Sequence, residues 1–321
     1  MTSFAKILTT TLLACVFGAQ AAHADDKDLC IYDPAGSSGD AYQTAQRYAA
    51  AAQAWGVNFS LRAYTDEAIA ASDFANSNCD AVLLTGVRTQ QFNRKSYSVE
   101  ALGLTTNYQQ LRTAIQVLAR PNAASLMVAN QYETVGIYPA GAVYLYVQDR
   151  SNIDISVLAG KKIATMDFDQ AAPYLATQVG ATAVPSDIGN FAQKFNNGAV
   201  FACYAPATAY EPLELSQGLS GGGGVIQFPL AQLTLQMLIR HSEFPDGFGQ
   251  SSREWAAGQF DSVLRLTTSA EASINNDGYW IQLDAAKTQQ YRQMLSEVRS
   301  TLVGQGAYDP TVVRLVERIA Q

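Results

Sequence analysis

The chain has 321 residues, of which 48% are hydrophobic and only 15% charged, the make-up of a compact globular protein rather than a disordered one. Its 28 acidic residues against 21 basic ones give a net charge of −7, which argues against nucleic acid or anionic lipid as a partner. With two histidines and four cysteines without C-x-x-C spacing, the chain lacks the material for histidine triads, histidine-rich metal sites or zinc and thioredoxin-like motifs.

Residues 1–24 have the form of a secretory leader. Lys6 supplies the positive start, 7–21 are largely apolar, and Ala22-His23-Ala24 is a small-x-small site before Asp25. The expectation is export to the periplasm with cleavage after Ala24; lipidation at Cys15, in a loose lipobox, is the lesser alternative. Cleavage removes Lys6 and no acid, leaving 20 basic against 28 acidic residues. The longest nearly apolar run after the leader, 135–147, is too short to span a bilayer as a helix.

The first elements alternate. Residues 29–32 read as a strand, the turn 33–39 follows, and Asp40 opens an alanine-rich helix that Gly56 stops. Residues 57–63 alternate with period two and predict a second strand; Thr65-Asp66-Glu67 caps a helix to about 75, and 81–84 is a third, buried strand. A helix at 108–118 and a long tyrosine-rich extended segment at 135–147 come next. The pattern then restarts with a strand at 162–165, a helix at 171–179, a strand at 181–184, a helix at 187–195 and a strand at 199–204. The glycine-rich stretch 220–224 lacks the Lys-Ser/Thr of a phosphate loop and reads as a surface loop returning to the first half; from 251–257 onward, through 289–303 and 310–320, the apolar spacing is helical.

Two βαβαβ sets predict an α/β protein of the type II periplasmic-binding-protein fold, two doubly wound lobes with a cleft at the carboxyl ends of the strands. The expected division is 25–138 for the first part of lobe 1, 139–228 for lobe 2, and 229–321 for the return to lobe 1 and C-terminal helices. In a sheet ordered 2-1-3 the first and third strands are neighbours, so Cys30 and Cys79, at their starts, are expected to form a disulfide and Cys203 to stay a buried thiol. The expected ligand set is Asp33, Ser37, Ser38, Asp40, Thr85 and Arg88 from the first lobe, with Thr165, Asp167 and Tyr204 from the second and Tyr144 from the crossover segment. All but Tyr144 follow strand ends or open a helix. Asp167 and Asp169 also form a carboxylate pair capable of acid/base work, but no nucleophile motif, Walker sequence or dinucleotide fingerprint accompanies them, and a non-enzymatic protein without cofactor or metal is expected.

Cys30-Ile31-Tyr32-Asp33-Pro34-Ala35-Gly36, Gly39-Asp40, Cys79-Asp80-Ala81 and Thr85-Gly86-Val87-Arg88 with Gln91-Phe92-Asn93 together resemble a family of envelope solute-binding proteins commonly labelled as an RND-type efflux component implicated in aminoglycoside resistance. More distantly, 158–163, Gly180-Ala181 and 195–198 resemble the solute receptors of tripartite ATP-independent periplasmic (TRAP) transporters. The chain departs from those receptors in carrying Ala164 where a carboxylate-clamping arginine usually follows the Lys-Ile pair, and Phe201-Ala202 where Asp-Gly is usual. The expected function is capture of a small polar solute between the two lobes for a membrane transport component. Zwitterionic or cationic solutes suit the acidic candidates best. The alternative is an accessory protein of an envelope complex that binds protein, which a filled cleft beside an exposed apolar patch would favour.

Overall fold

A computed structural model describes residues 24–320 apart from 152; the leader, with Cys15, lies outside the described residues except for Ala24. The first half runs β1 (Asp25–Tyr32), α1 (Asp40–Ala52), β2 (Val57–Tyr64), α2 (Glu67–Ala75) and β3 (Ala81–Thr85), then α3 (Gly86–Thr89), α4 (Arg94–Tyr97), α5 (Tyr108–Leu118), β4 (Val128–Ala129) and the long β5 (Tyr132–Val147). The second set is β6 (Lys162–Met166), α6 (Ala171–Gln178), β7 (Thr182–Ser186), α7 (Phe191–Asn196), β8 (Ala202–Pro206) and α8 (Ser216–Leu219), followed by a second long strand, β9 (Gly224–Arg240). The chain closes with α9 (Phe248–Gly258), α10 (Phe260–Asn276), β10 (Trp280–Ile281), α11 (Ala285–Gly304) and α12 (Pro310–Ala320).

Local signals account for most boundaries. Gly56 takes a left-handed φ of 79° and ends the first helical run. Asp66 accepts hydrogen bonds from the Ala68 and Ile69 amides and starts α2, and Asn107 accepts from Gln110 to start α5. The predicted spans agree closely with β2, β3, α5, β5 and α6, while β1 begins at Asp25 rather than at 29. The second-lobe helix starts at Phe191 rather than 187 and the strand after it at Ala202 rather than 199.

Both lobes hang on one sheet, ordered β2-β1-β3-β9-β5-β8-β6-β7. Its wings, β2-β1-β3 and β8-β6-β7, are parallel and each ordered 2-1-3, while β5 and β9 pair antiparallel through the centre. The expected lobe boundaries at 138/139 and 228/229 fall inside these two strands. No strand was expected at 224–240. The reason is Pro229, which lacks an amide and argues against a central strand. It is accommodated because the register jumps there: Val143 pairs with Ala231 but Leu145 with Ile226, so residues 227–230 bulge away from β5.

Helices cover both faces. Tyr48 of α1 packs edge-on to Trp55 and Trp255, and its hydroxyl meets Ser252 of α9 at 2.8 Å. At the far end of lobe 1, Cys30 and Cys79 are disulfide-bonded with Cα atoms 6.0 Å apart, and Cys203 is a buried free thiol. Arg240, from the end of β9, donates to the carbonyls of Cys79 (2.6 Å) and Phe74 (2.9 Å), so the bridge, the end of α2 and the central strand form one unit. Unreduced, unfolded mature protein should therefore show one reactive thiol. Replacing both Cys30 and Cys79 by alanine should lower unfolding stability by about 4 kcal/mol, read by denaturant titration; three thiols in the untreated protein would show that the bridge does not form.

Candidate functional site

The bulge in β9 and the carboxyl ends of β3 and β6 enclose a cavity of about 110 Å³ between the lobes. One side comes from Val87 and from Tyr97, Glu100 and Leu102; the other from Ile163 and Thr165 of β6 and from α6, with Tyr204 of β8. Val143 and Leu145 of β5 and Leu230 and Ala231 of the bulge form its back, and Tyr291, Met294 and Tyr308 close it from the C-terminal helices and their connection. The lining is overwhelmingly apolar, with a few convergent polar groups, the usual make-up of a small-molecule site.

Glu100 is the most heavily constrained of those groups. It is 4% exposed, and its Oε1 accepts from the amide and hydroxyl of Thr234, each at 2.5 Å. Its Oε2 has no hydrogen-bond partner. Gly86 makes room for it: a Cβ there would stand 2.0 Å from Oε1. The segment carrying Glu100 is pinned by Gly103 N to Leu230 O (2.8 Å), by Arg299 to Leu102 O (2.7 Å), and by the Asp309 amide to Ser98 Oγ (2.7 Å). Burial, with help from the negative charges of Asp169 and Glu67, pushes the Glu100 carboxyl up to about 8.

Asp169 faces it from the loop after β6. Its Oδ1 accepts from the Ala171 and Ala172 amides, capping α6, and its Oδ2 accepts from the Tyr204 hydroxyl at 3.0 Å. Tyr204 Oη in turn accepts from the Met166 amide at 3.0 Å, so both of its roles are filled. Burial raises the Asp169 carboxyl despite these bonds. At the margin, the Arg88 guanidinium lies 3.8 Å over the ring of Phe168, a cation–π contact from lobe 1 to lobe 2, and 3.5 Å from the buried Glu67. Among the described residues, no group of three or more His, Cys, Asp or Glu is arranged to hold a metal.

A model of the family described as solute-binding protein AdeT 1/2 matches residues 48–321. The chain belongs to that family. It is 38% identical to "Probable solute-binding protein AdeT1" of Acinetobacter baumannii over 289 residues, 90% of this chain and 95% of the relative, and 26% identical to "Probable solute-binding protein AdeT2" of the same organism, over 69% and 93%. Its fold is similar to that of solved TRAP periplasmic solute-binding proteins. One from Desulfovibrio salexigens with bound orotic acid superposes with a TM-score of 0.72 at 13% identity, over 92% of this chain and 98% of that one; one from Haemophilus influenzae with bound L-gulonate gives 0.72 at 9%, over 92% and 99%. The predicted two-lobed periplasmic-binding fold is thus the fold of this AdeT1/2-family protein.

Of the ligand set expected from sequence, Thr165 and Tyr204 line the cavity. Arg88 sits at its edge, paired with Glu67 rather than with Asp33 or Asp40, and Thr85 uses its amide to hold Glu67 Oε1 at 2.7 Å. The others lie elsewhere. Asp33 is buried, with Oδ1 accepting from the Ala35 amide and Oδ2 from Ala41 and Tyr42, so it caps α1. Ser37, Ser38 and Asp40 are exposed on that same turn, and Asp167 is exposed while Asp169, two residues on, turns inward. Tyr144 points to the opposite face of β5 from Val143 and Leu145, where its hydroxyl donates to Glu271 at 3.0 Å and its ring meets Trp280. Glu100 was missed. Its signal is an acid inside the apolar run Tyr97-Ser98-Val99-Glu100-Ala101-Leu102, a place where a carboxylate must be buried.

The raised Glu100 carboxyl has a pH signature. Ordinarily near 4.5, it stays protonated in the fold up to about 8. Its contribution to stability is complete below 4.5 and is lost as pH rises through the window from 4.5 to 8. Between pH 5 and pH 9 the native protein should lose a few kcal/mol more stability than Glu100→Gln, which keeps the acceptor for Thr234. Parallel pH profiles of the two proteins would show this assignment to be wrong.

Proposed function

We propose that this chain is exported to the periplasm by cleavage after Ala24, captures a small solute in the cavity between its lobes, and passes it to a membrane transport component. The lobes divide near 138/139 and 228/229, within the two strands that would carry the bending between them. What carries the reading is the cavity itself: a partly open, apolar-walled space at the carboxyl ends of both parallel wings, with Glu100, Asp169 and Tyr204 converging on it. Family membership supports solute binding over enzymatic chemistry, and the solved neighbours of the same fold hold small organic molecules. A protein-docking role finds little support, since among the described residues Ile69 alone is an exposed large hydrophobic side chain.

Arg88 and Phe168 belong to this reading as a contact that favours the closed arrangement, and Thr165 and Tyr204 as part of the contact set. Of the sequence-derived set, Asp33 serves the fold of the turn before α1, and the solute-facing groups are those of the cavity.

A metabolite screen by thermal shift should find a solute that stabilises the protein, by about 2.7 kcal/mol at one hundred times its dissociation constant. Ala172→Phe, which fills the cavity from α6, should melt as a folded protein and give no shift with that solute. A shift of unchanged size in the filled variant would move the site elsewhere.

A further inference from the structure

We infer that the solute taken by this cavity is an amine, carried as a single ammonium group on a compact apolar body. The inference rests on the solute-binding reading above and narrows it to a chemical class.

The charge balance of the lining is one-sided. Its charged members are Glu100 and Asp169, both acids, and none of the described lining residues is Lys, Arg or His. Arg88, at the margin, is outside the lining and already engaged by Glu67 and the Phe168 ring. A carboxylate ligand entering this space would meet two acids and no cation among the lining residues to hold it. Orotic acid and L-gulonate, the ligands of the two solved neighbours, are acids of that kind, and this cavity is built for the opposite sign.

The positive requirement is as specific. Glu100 Oε2 is a buried acceptor without a partner, in a residue whose other oxygen is doubly bonded by Thr234. An unmet buried carboxylate oxygen is costly, and an ammonium is the group that meets it with both charge and donors. Asp169, opposite, has its oxygens occupied by two amides and Tyr204, so it contributes field more than a fresh hydrogen bond. Tyr97 and Tyr308, both buried and stacked at a centroid distance of 5.6 Å, add aromatic faces beside the acids, a favourable setting for a cation. One unmet oxygen calls for one amine. The rest of the wall is dominated by apolar side chains, with Leu102, Leu145, Leu158, Ile163 and Leu175 against a few hydroxyls such as that of Thr165, which disfavours sugars and polyamines alike. The volume of about 110 Å³ is somewhat below the roughly 150 Å³ that admits benzene in an engineered cavity, so the body is on the order of one small ring or a short branched chain.

The test uses a matched set sized to the cavity, cyclopentylammonium and cyclopentanecarboxylate, with cyclopentanol as the neutral control, titrated calorimetrically into protein stripped of ligand by unfolding and refolding. The amine should bind at least tenfold more tightly than either of the others. Glu100→Gln should weaken the amine at least tenfold and leave the alcohol unchanged, and Asp169→Asn should weaken the amine by a smaller factor. Circular dichroism checks that the variants fold, and the comparison of the three compounds on the native protein stands without them. Tighter binding of the acid or alcohol, or an amine affinity indifferent to both substitutions, overturns the inference while leaving a solute-binding cavity in place. Heat from none of the three overturns the inference and the solute reading of this cavity together.

Discussion

The pairing of β5 with β9 is the interaction on which the rest of the molecule depends. These two antiparallel strands run through the middle of the sheet, and the parallel wings are attached to them, β3 to β9 on one side and β8 to β5 on the other. Ladder hydrogen bonds join main-chain groups whatever the side chains, and the pairing absorbs an irregularity where it matters. At Val143–Leu145 the register skips from Ala231 to Ile226, and the strand bends out around Pro229. Leu230 and Ala231 at the edge of that bulge form the back of the cavity, and the Leu230 carbonyl receives the Gly103 amide that fixes the segment bearing Glu100. The element that unites the lobes and the element that opens space between them are therefore the same pair of strands.

Within that space a conflict is maintained. A carboxylate buried in an apolar wall is unfavourable unless its oxygens are bonded and its charge is met. Thr234 bonds one oxygen of Glu100 and Gly86 yields the room, but the second oxygen is left over and the neighbouring charges, Asp169 and Glu67, are of the same sign. The fold resolves this without ligand by holding the carboxyl protonated at neutral pH. For the amine inferred above, binding ionises Glu100 and releases its proton, a cost that the ion pair must offset. Proton release on binding and selectivity for a cation then have one cause.

The wings were legible in the sequence because their signals are local. Period-two runs, Asp66 and Gly56 at helix ends, and the repeat of strand, helix, strand leave little choice of fold class, and the 2-1-3 order that follows brings Cys30 beside Cys79. The long strand at 224–240 was not legible, because Pro229 contradicts a central strand unless the bulge is known. The site was legible in part for a similar reason. Strand-end logic selects Thr165 and Tyr204, which line the cavity, but it also selects Asp33 and Asp40, whose position at the start of α1 makes one a cap and leaves the other in solvent. It cannot choose between Asp167 and Asp169, since which of two loop carboxylates turns inward is decided by the capping of α6 and by Tyr204 from a distant strand. Glu100 lies on no strand end at all. Its place is set by Thr234, 134 residues away, and by the absence of a side chain at Gly86.

The central claim is that the cavity behind Glu100 is where a solute is held. A crystal structure of the protein grown with cyclopentylammonium tests it most directly. The account predicts ordered density between the lobes, with the ligand nitrogen about 3 Å from Glu100 Oε2 and its ring against the apolar wall of β6 and α6. An empty or collapsed cavity with the ligand bound elsewhere, or the ring seated with its nitrogen turned away from Glu100, would contradict it.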